Sequence, residues 1–353
     1  MKIESIVLSF LSIFALLCFF ATLLIQKFSG KIYRGILLDK DFKKPQSFHK
    51  IAVPRAGGLL GIVTFGLFII FYNLLFKELL ADYLILGFFL FLIGFLEDIK
   101  INFNPTIRLI FMIITISLFL IFFQINIERI DISFLNTWLQ ISFFNTLFLL
   151  LCFLFLINGA NLIDGFNGLL CIHLIIINGV LLFINSSSGQ SPINIIISGE
   201  IIILVSFLLF NFPKSKMFLG DSGAYFFGGL TALNLIKTNN LNPEISSFFF
   251  SILVFYLFYE VFFSFFRKIY LKKSPLKPDN FHLHMNLFKR LKSINFFEDC
   301  NYLTSTAINL CFSILILPAL FNRYNGVFCK YWFFSLIIFY TIIYLKINIK
   351  KIK

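Results

Sequence analysis

The chain has 353 residues, 59% of them hydrophobic and only 13% charged, with 53 Phe. A soluble domain could not hide that apolar fraction from water, so composition excludes a soluble globular protein and points to a polytopic membrane protein. The formal charge of +13 would suit nucleic acid or anionic lipid, but the basic residues fall between apolar segments, which favours membrane lipid and speaks against nucleic acid.

The six cysteines are scattered, mostly inside apolar segments, with no C-x-x-C pair, so neither a disulfide scaffold nor a zinc site is expected. Lys2 and Glu4 precede the first apolar segment, and no small-residue cleavage pattern follows it. It reads as a retained first span and not as a signal peptide.

Runs of about 20 apolar residues lie near 5–25, 57–76, 79–96, 107–124, 142–163, 168–186, 194–211, 223–240, 246–266, 302–321 and 331–347. The expected fold is therefore an all-α polytopic integral membrane protein with about eleven transmembrane helices in a single membrane domain over 1–353. Counting connections alternately puts 26–56, 97–106, 212–222, 267–301 and the C-terminal tail on one side. With the membrane-edge Arg108 and Lys346, that side holds 24 of the 30 Lys and Arg, the others being Lys2, Lys77, Arg129, Lys237, Arg323 and Lys330. This bias predicts that those connections and the C-terminus are cytoplasmic and that the N-terminus faces out. The intervening linkers read as short, polar and chemically plain.

Each cytoplasmic connection carries a polar cluster. The first ends in His49-Lys50-Ile-Ala-Val-Pro54-Arg55-Ala-Gly57-Gly58, a basic turn entering a helix on two glycines, where free N–H groups could face an anion. The plain alternative is a basic loop on anionic headgroups. The second cluster sets Glu97 beside Asp98, followed by Asn104-Pro105-Thr-Ile-Arg108. Adjacent carboxylates repel and are tolerated where a cation compensates them, or where a helix end is well solvated.

The third cluster is Asn158-Gly-Ala-Asn161-Leu-Ile-Asp164-Gly165-Phe-Asn167-Gly168. On a continuing helix, Asn158, Asn161 and Asp164 share one polar stripe. Such a stripe at a membrane edge marks a water-filled cleft, an ion or an interhelical hydrogen-bond seam. In the fourth, the chain leaves a helix at Pro213 and enters the next through Gly220-Asp221-Ser222-Gly223. Asp221 taken alone is an N-cap candidate. The fifth reads Lys272-Lys273-Ser274-Pro275-Leu276-Lys277-Pro278-Asp279-Asn280-Phe281-His282-Leu283-His284-Met285. Histidines two apart diverge on a helix, so joint action requires a turning backbone, which the prolines favour. They read as phosphate-binding or proton-handling groups, or as headgroup contacts.

With these clusters in this order, the chain resembles the polyprenyl-phosphate N-acetylhexosamine-1-phosphate transferases of glycosyltransferase family 4, the WecA- and TagO-like relatives of the MraY translocases. The resemblance runs from His49 to His284. It implies transfer of an N-acetylhexosamine-1-phosphate from a UDP-sugar to undecaprenyl (polyprenyl) phosphate at the cytoplasmic face of a bacterial inner membrane, releasing UMP and starting lipid-linked cell-envelope glycan synthesis. The active site would form from the loops near 26–56, 97–106, 158–168, 212–222 and 267–301.

Carried over by position, the resemblance implies catalytic roles for Glu97, Asp98, Asp164, His282 and His284. It implies substrate contacts for Arg55, Asn158, Asn167, Lys277 and Asp279, and a magnesium or manganese ion on Asn161 and Asp221. Positioning is the expected role of Asp98, with base catalysis the lesser option. Partners would be the UDP-sugar, the polyprenyl phosphate and membrane lipids, and a homodimer is compatible.

Three departures stand out: Glu97-Asp98 where the family usually has two aspartates, Glu260 where an aspartate is usual, and Met285 where a histidine usually closes the loop. Glu260 is expected to orient Arg267. The loop also lacks the three consecutive histidines typical of the peptide-loading translocases, which favours a plain nucleotide sugar. The rival reading is a multi-span transporter or lipid flippase, against which the absence of a visible repeat and the placement of the polar clusters at helix ends both argue. A CDP-alcohol phosphotransferase would need Asp-Gly-x-x-Ala-Arg, whereas Asp164-Gly165 is followed by Phe-Asn-Gly.

Overall fold

A computed structural model describes residues 2–40, 52–101, 104–187, 189, 191–275, 277, 279–294 and 299–349. The helices are α1 (Lys2–Ser29), α2 (Gly57–Phe76), α3 (Ala81–Asp98), α4 (Pro105–Phe122), α5 (Ser133–Leu139), α6 (Ser142–Ile163) and α7 (Leu169–Ser187). They continue with α8 (Ser191–Asn211), α9 (Gly220–Leu241), α10 (Ser247–Leu253), α11 (Phe255–Tyr270), α12 (Leu283–Ser293), α13 (Cys300–Phe321) and α14 (Gly326–Ile349). One antiparallel two-residue pair, β1 (Leu38–Asp39) on β2 (Val53–Pro54), interrupts the expected all-α architecture.

Every expected span falls on a helix, but the count of eleven membrane crossings is not reproduced. Among the described residues eight helices are long and apolar enough to cross a membrane, or nine if the pair α10 and α11, bent by 75°, counts as one broken span. The two other expected spans are α3 and α9, and the reason differs for each. Asp82, Glu97 and Asp98 charge the ends of α3. The helix α9 is rich in Gly, Thr and Asn because its surroundings are protein: it packs on α2, α3, α6, α7 and α8, and most of its residues are buried.

This central helix carries a polar seam that periodicity alone does not reveal. Glu200 of α8, fully buried, accepts from Thr231 at 2.9 Å, Asn234 at 2.7 Å and Asn178 at 3.3 Å, and Tyr83 donates to Asn234 at 2.8 Å. One heptad further along, Asn185 donates to Thr238 at 2.8 Å and accepts from Asn242 at 3.1 Å. A buried carboxyl satisfied by three donors fixes the register of α7, α8 and α9 where lipid offers no alternative partner.

Two elements were not foreseen. The linker before α6, read above as chemically plain, contains the seven-residue helix α5. The fifth cluster ends in α12, an amphipathic helix that presents His284, Met285 and Asn286 to the interior.

Candidate active site

The N-terminus of α9 is where the clusters meet. Gly220 opens this helix with φ +77, a conformation that favours glycine, and a Cβ there would come within 2.6 Å of the Asp98 carboxylate. The first backbone N–H groups of a helix have no intrahelical acceptor, and here a carboxylate from another segment, Asp98, accepts two of them. The Gly220 N–H lies on the side of Asp164 and favours its charged form. The N–H groups of Asp221 and Ser222 donate to Asp98 at 3.1 and 3.0 Å, and the Ser222 hydroxyl adds a third bond at 2.5 Å.

Asp98 therefore ends α3 as a buried cap on α9. Asp221, by contrast, lies inside the first turn, the helix has no side-chain cap of its own, and its carboxylate turns outward to Arg108 at 3.0 Å. The N-cap alternative for Asp221 is thereby excluded.

Arg55 completes the cluster. Its Nε and Nη2 both donate to Asp39 Oδ2, at 3.1 and 2.7 Å, and its Nη1 stands 3.8 Å from Asp98. The segment holding it is tied on both sides, because Arg55 N donates to Leu37 O and Phe218 N donates to Pro54 O. Gly57 N and Gly58 N donate to Phe218 O and Leu219 O at 3.0 Å. These N–H groups are consumed by the fold, so the anion role expected for them does not hold. His49 and Lys50 lie outside the described residues.

Four carboxylates, Asp39, Asp98, Asp164 and Asp221, and two guanidinium groups, Arg55 and Arg108, thus converge. Burial pushes the Asp164 carboxyl up to about 8, with Asp221 and Asp98 adding to the shift and Arg55 opposing it. Asp164 is therefore mostly neutral at pH 7 unless a further cation joins the cluster.

On the polar stripe of α6, Asn158 returns its amide to Leu154 O at 2.7 Å, while Asn161 is half-buried and engages no hydrogen-bond partner among the described residues. Asn167 is a tie between segments: its backbone N–H donates to Asn301 at 2.8 Å and its side-chain amide to Pro213 O at 2.9 Å.

The fifth cluster forms a second group. His282 is buried between two carboxylates, with Nδ1 3.0 Å from Glu260 and Nε2 3.3 Å from Asp279. Glu260 also accepts from Leu283 N at 3.2 Å and Tyr340 OH at 2.5 Å. Arg267 pairs with Asp279 at 3.0 Å, so Glu260 orients His282 and not Arg267 as expected. Burial pushes the Asp279 carboxyl up, but His282 and Arg267 outweigh that and hold it below its usual range.

The His284 ring stacks parallel to His282 at 5.5 Å, with Nδ1 3.1 Å from Tyr256 OH and Nε2 without a hydrogen-bond partner among the described residues. Burial depresses its pKa to about 3. The ring of Phe166, in the turn after Asp164, lies 5.6 Å from that of His284 and connects the two groups. Lys277 is exposed and joins neither group; Lys268 instead braces the loop on Pro275 O at 3.1 Å and Lys277 O at 2.8 Å. Met285 is buried in the apolar core.

Sequence reasoning missed Asp39, Ser222 and Tyr225. Tyr225 is one turn beyond Asp221 and its hydroxyl is buried with no hydrogen-bond partner among the described residues. The Arg108 guanidinium lies 5.9 Å from its ring. Arg108 had a signal, its place beside the acidic pair, but Asp39 had none.

The donor set fits a hard divalent cation in one particular way. Among the described residues no three His, Cys, Asp or Glu groups converge on one point, so there is no all-protein cage. Magnesium is commonly held by one or two carboxylates with waters and substrate phosphates completing the shell. Asp221, in the carboxylate cluster, and the unpaired Tyr225 hydroxyl one turn further along α9 are oxygen donors of that kind, and Asn161 on α6 has an amide oxygen with no partner among the described residues.

The profile of glycosyl transferase family 4 matches residues 80–239, the stretch that contains Asp98, the α6 stripe and the start of α9. Over that stretch the chain is similar to glycosyl transferase family 4. The chain is 28% identical over 276 residues to the undecaprenyl-phosphate alpha-N-acetylglucosaminyl 1-phosphate transferase of Thermotoga maritima, covering 78% of this chain and 80% of the relative. It is 29% identical over 208 residues to a phospho-N-acetylmuramoyl-pentapeptide-transferase of Streptococcus pneumoniae, covering 56% and 63% of the two. With eight or nine candidate spans among the described residues, it is a multi-pass membrane protein.

Proposed function

We propose that the chain transfers an N-acetylhexosamine-1-phosphate from a UDP-sugar to undecaprenyl or another polyprenyl phosphate, releasing UMP, at the cytoplasmic face of a bacterial inner membrane. The observation that carries this reading is the convergence of Asp98, Asp164 and Asp221 with Arg55 and Arg108 on the N-terminus of one buried helix. Two anionic substrates have to be brought together, and charge neutralisation with in-line positioning is most of what phosphoryl transfer requires. A transporter has no use for such a cluster at a helix end, and the named activities of the relatives are transferases.

An oxygen of the lipid phosphate forms a bond to the sugar-linked phosphorus while the bond from that phosphorus to the bridging oxygen breaks, and the electron pair leaves with UMP. A phosphate monoester with second pKa ~6 is already mostly dianionic at neutral pH, so no general base is needed. Asp98, buried and occupied by three donors, suits the positioning role and not base catalysis. Arg55 and Arg108 take charge on the phosphates, with Glu97 beside Arg108. Asn161 and Asp221 would hold magnesium or manganese, which when bound neutralises the diphosphate. Asp164, Asn158 and Asn167 line the nucleotide side, and His284 Nε2 is the free nitrogen of the fifth cluster for a phosphate or sugar oxygen.

Within this reading the donor is a UDP-N-acetylhexosamine without a peptide, because His282-Leu283-His284-Met285 replaces the three consecutive histidines of the peptide-loading translocases. The test is purified protein with undecaprenyl phosphate, magnesium and a panel of UDP-sugars, including the pentapeptide-bearing one. UMP release with a lipid-diphosphate product is expected for a plain N-acetylhexosamine donor. Absence of UMP with every donor would refute the transferase, and activity on the pentapeptide donor alone would refute the substrate class.

A further inference from the structure

At the far end of α9 the bundle holds a cavity of about 830 Å³ between α5, α10 and the turn joining α13 to α14. A 22-residue helix is about 33 Å long, so this cavity lies that far from Asp221, at the end opposite the carboxylate cluster.

Its lining is built to donate. Arg129 and Lys330 bring two positive charges. Asn136 spends its carbonyl on Ile130 N at 2.9 Å, and Asn325 spends its own on Phe328 N at 3.0 Å, which leaves both NH2 groups as donors. The single carboxylate in the lining, Asp131, accepts from the Ser246 hydroxyl at 2.5 Å and lies 3.7 Å from Arg129. Of the six basic residues outside the expected cytoplasmic connections, Arg129 and Lys330 line this cavity, and Arg323 adjoins it through Tyr324 at 3.1 Å.

The mouth is apolar: Phe321 and Val327 of the lining are largely exposed, as are Trp138 on α5 and Tyr331 next to Lys330. Exposed Trp and Tyr mark headgroup depth. A ligand for this site therefore has an acceptor-rich anionic head and an apolar body.

We propose that this cavity binds the phosphate-bearing headgroup of an anionic membrane lipid. The chemistry follows from charge-assisted donation by Arg129 and Lys330 to phosphate oxygens, with the acyl chains against Phe321 and Val327. The inference does not depend on the reaction catalysed at the other end.

The test is native mass spectrometry of the detergent-purified full chain with phosphatidylglycerol, phosphatidylcholine or inorganic phosphate, alongside the melting temperature with each. Wild type should retain phosphatidylglycerol and melt higher with it, and phosphatidylcholine should do neither. Arg129→Ala/Lys330→Ala should weaken phosphatidylglycerol retention about 30-fold, at ~1 kcal/mol per basic residue near a lipid surface and ~1.4 kcal/mol per tenfold. Asn136→Asp preserves the acceptor for Ile130 N and turns the donor into an acceptor, so it should weaken retention with the lipid-free melting temperature unchanged. Equal retention by wild type and both variants overturns the proposal. Stabilisation by inorganic phosphate alone, with no lipid retained, overturns the lipid assignment in favour of a free anion.

Discussion

Asp98, the last residue of α3, accepts the backbone N–H groups of Asp221 and Ser222 at the start of α9, at 3.1 and 3.0 Å. One carboxylate thereby joins two helices by the same physics as an N-cap, but from across the bundle. It also frees the carboxylate of Asp221 to face Arg108. The two aspartates have different jobs, and substitution should separate them.

Asp98→Asn keeps the shape and loses an acceptor oxygen in a buried site. Hydrogen bonds to charged groups contribute about 1.5–3 kcal/mol each, so a loss of about 3 kcal/mol is expected, read as a lower melting temperature together with lost turnover. An unchanged melting temperature would show that this cap is not structural.

Asp221→Asn should melt like the wild type and lose at least ~100-fold in turnover, about 2.7 kcal/mol of transition-state stabilisation. Higher magnesium should restore part of it. Retention of more than about a tenth of wild-type UMP release at low magnesium would remove Asp221 from the proposed metal shell.

Gly94 sits where α3 crosses α9, and a Cβ there would lie 2.4 Å from the Ser222 Cα and backbone N. Gly94→Ala must push α9 off Asp98 and is expected to lower both stability and activity, by about 1–3 kcal/mol in stability as overpacked cores do. Gly66→Ala, whose Cβ meets nothing within 4 Å, is the control. Equal melting temperatures for the two variants would contradict the close approach.

His284 gives a pH signature. Burial holds its folded pKa at about 3 against about 6.5 when unfolded, so between these values the unfolded chain binds the extra proton. Its contribution to stability is fully present above about pH 6.5 and is lost as pH falls, by about 2 kcal/mol at pH 5. His284→Asn should flatten the fall in stability between pH 6.5 and 5 relative to wild type. Identical slopes would place the imidazole in water.

The distribution of basic residues predicts the topology. A reporter fused after Lys273 should read cytoplasmic and one after Glu128 external. The reverse result would put the proposed active surface away from cytoplasmic UDP-sugars.

Composition and period determined the class of this protein, because a chain 59% hydrophobic with recurring apolar runs has only helical membrane solutions open to it. The order of the five clusters was equally legible, since each sits at a helix end where a chemically costly residue stands out against apolar neighbours. Asp98, Asp164, Asp221 and Arg55 were all marked in this way, and the fold brings them together.

Tertiary structure alone decided what each marked residue does. Asp98 and Asp221 are both acids at helix ends and cannot be told apart until the packing of α3 on α9 gives the backbone N–H groups to one and Arg108 to the other. Gly57 and Gly58 looked like an open anion site until Phe218 and Leu219 were found accepting their N–H groups. Glu260 found His282 and not Arg267 because the loop turns back onto α11. The count of candidate spans falls short of eleven for the same reason: a helix such as α9, surrounded by other helices, is free to be polar on every face, and length and composition alone do not mark it as a span. Local sequence records how costly a side chain is to bury, while its partner is set by segments that can lie 151 residues away, as for Tyr83 and Asn234, and only the folded chain brings those into contact.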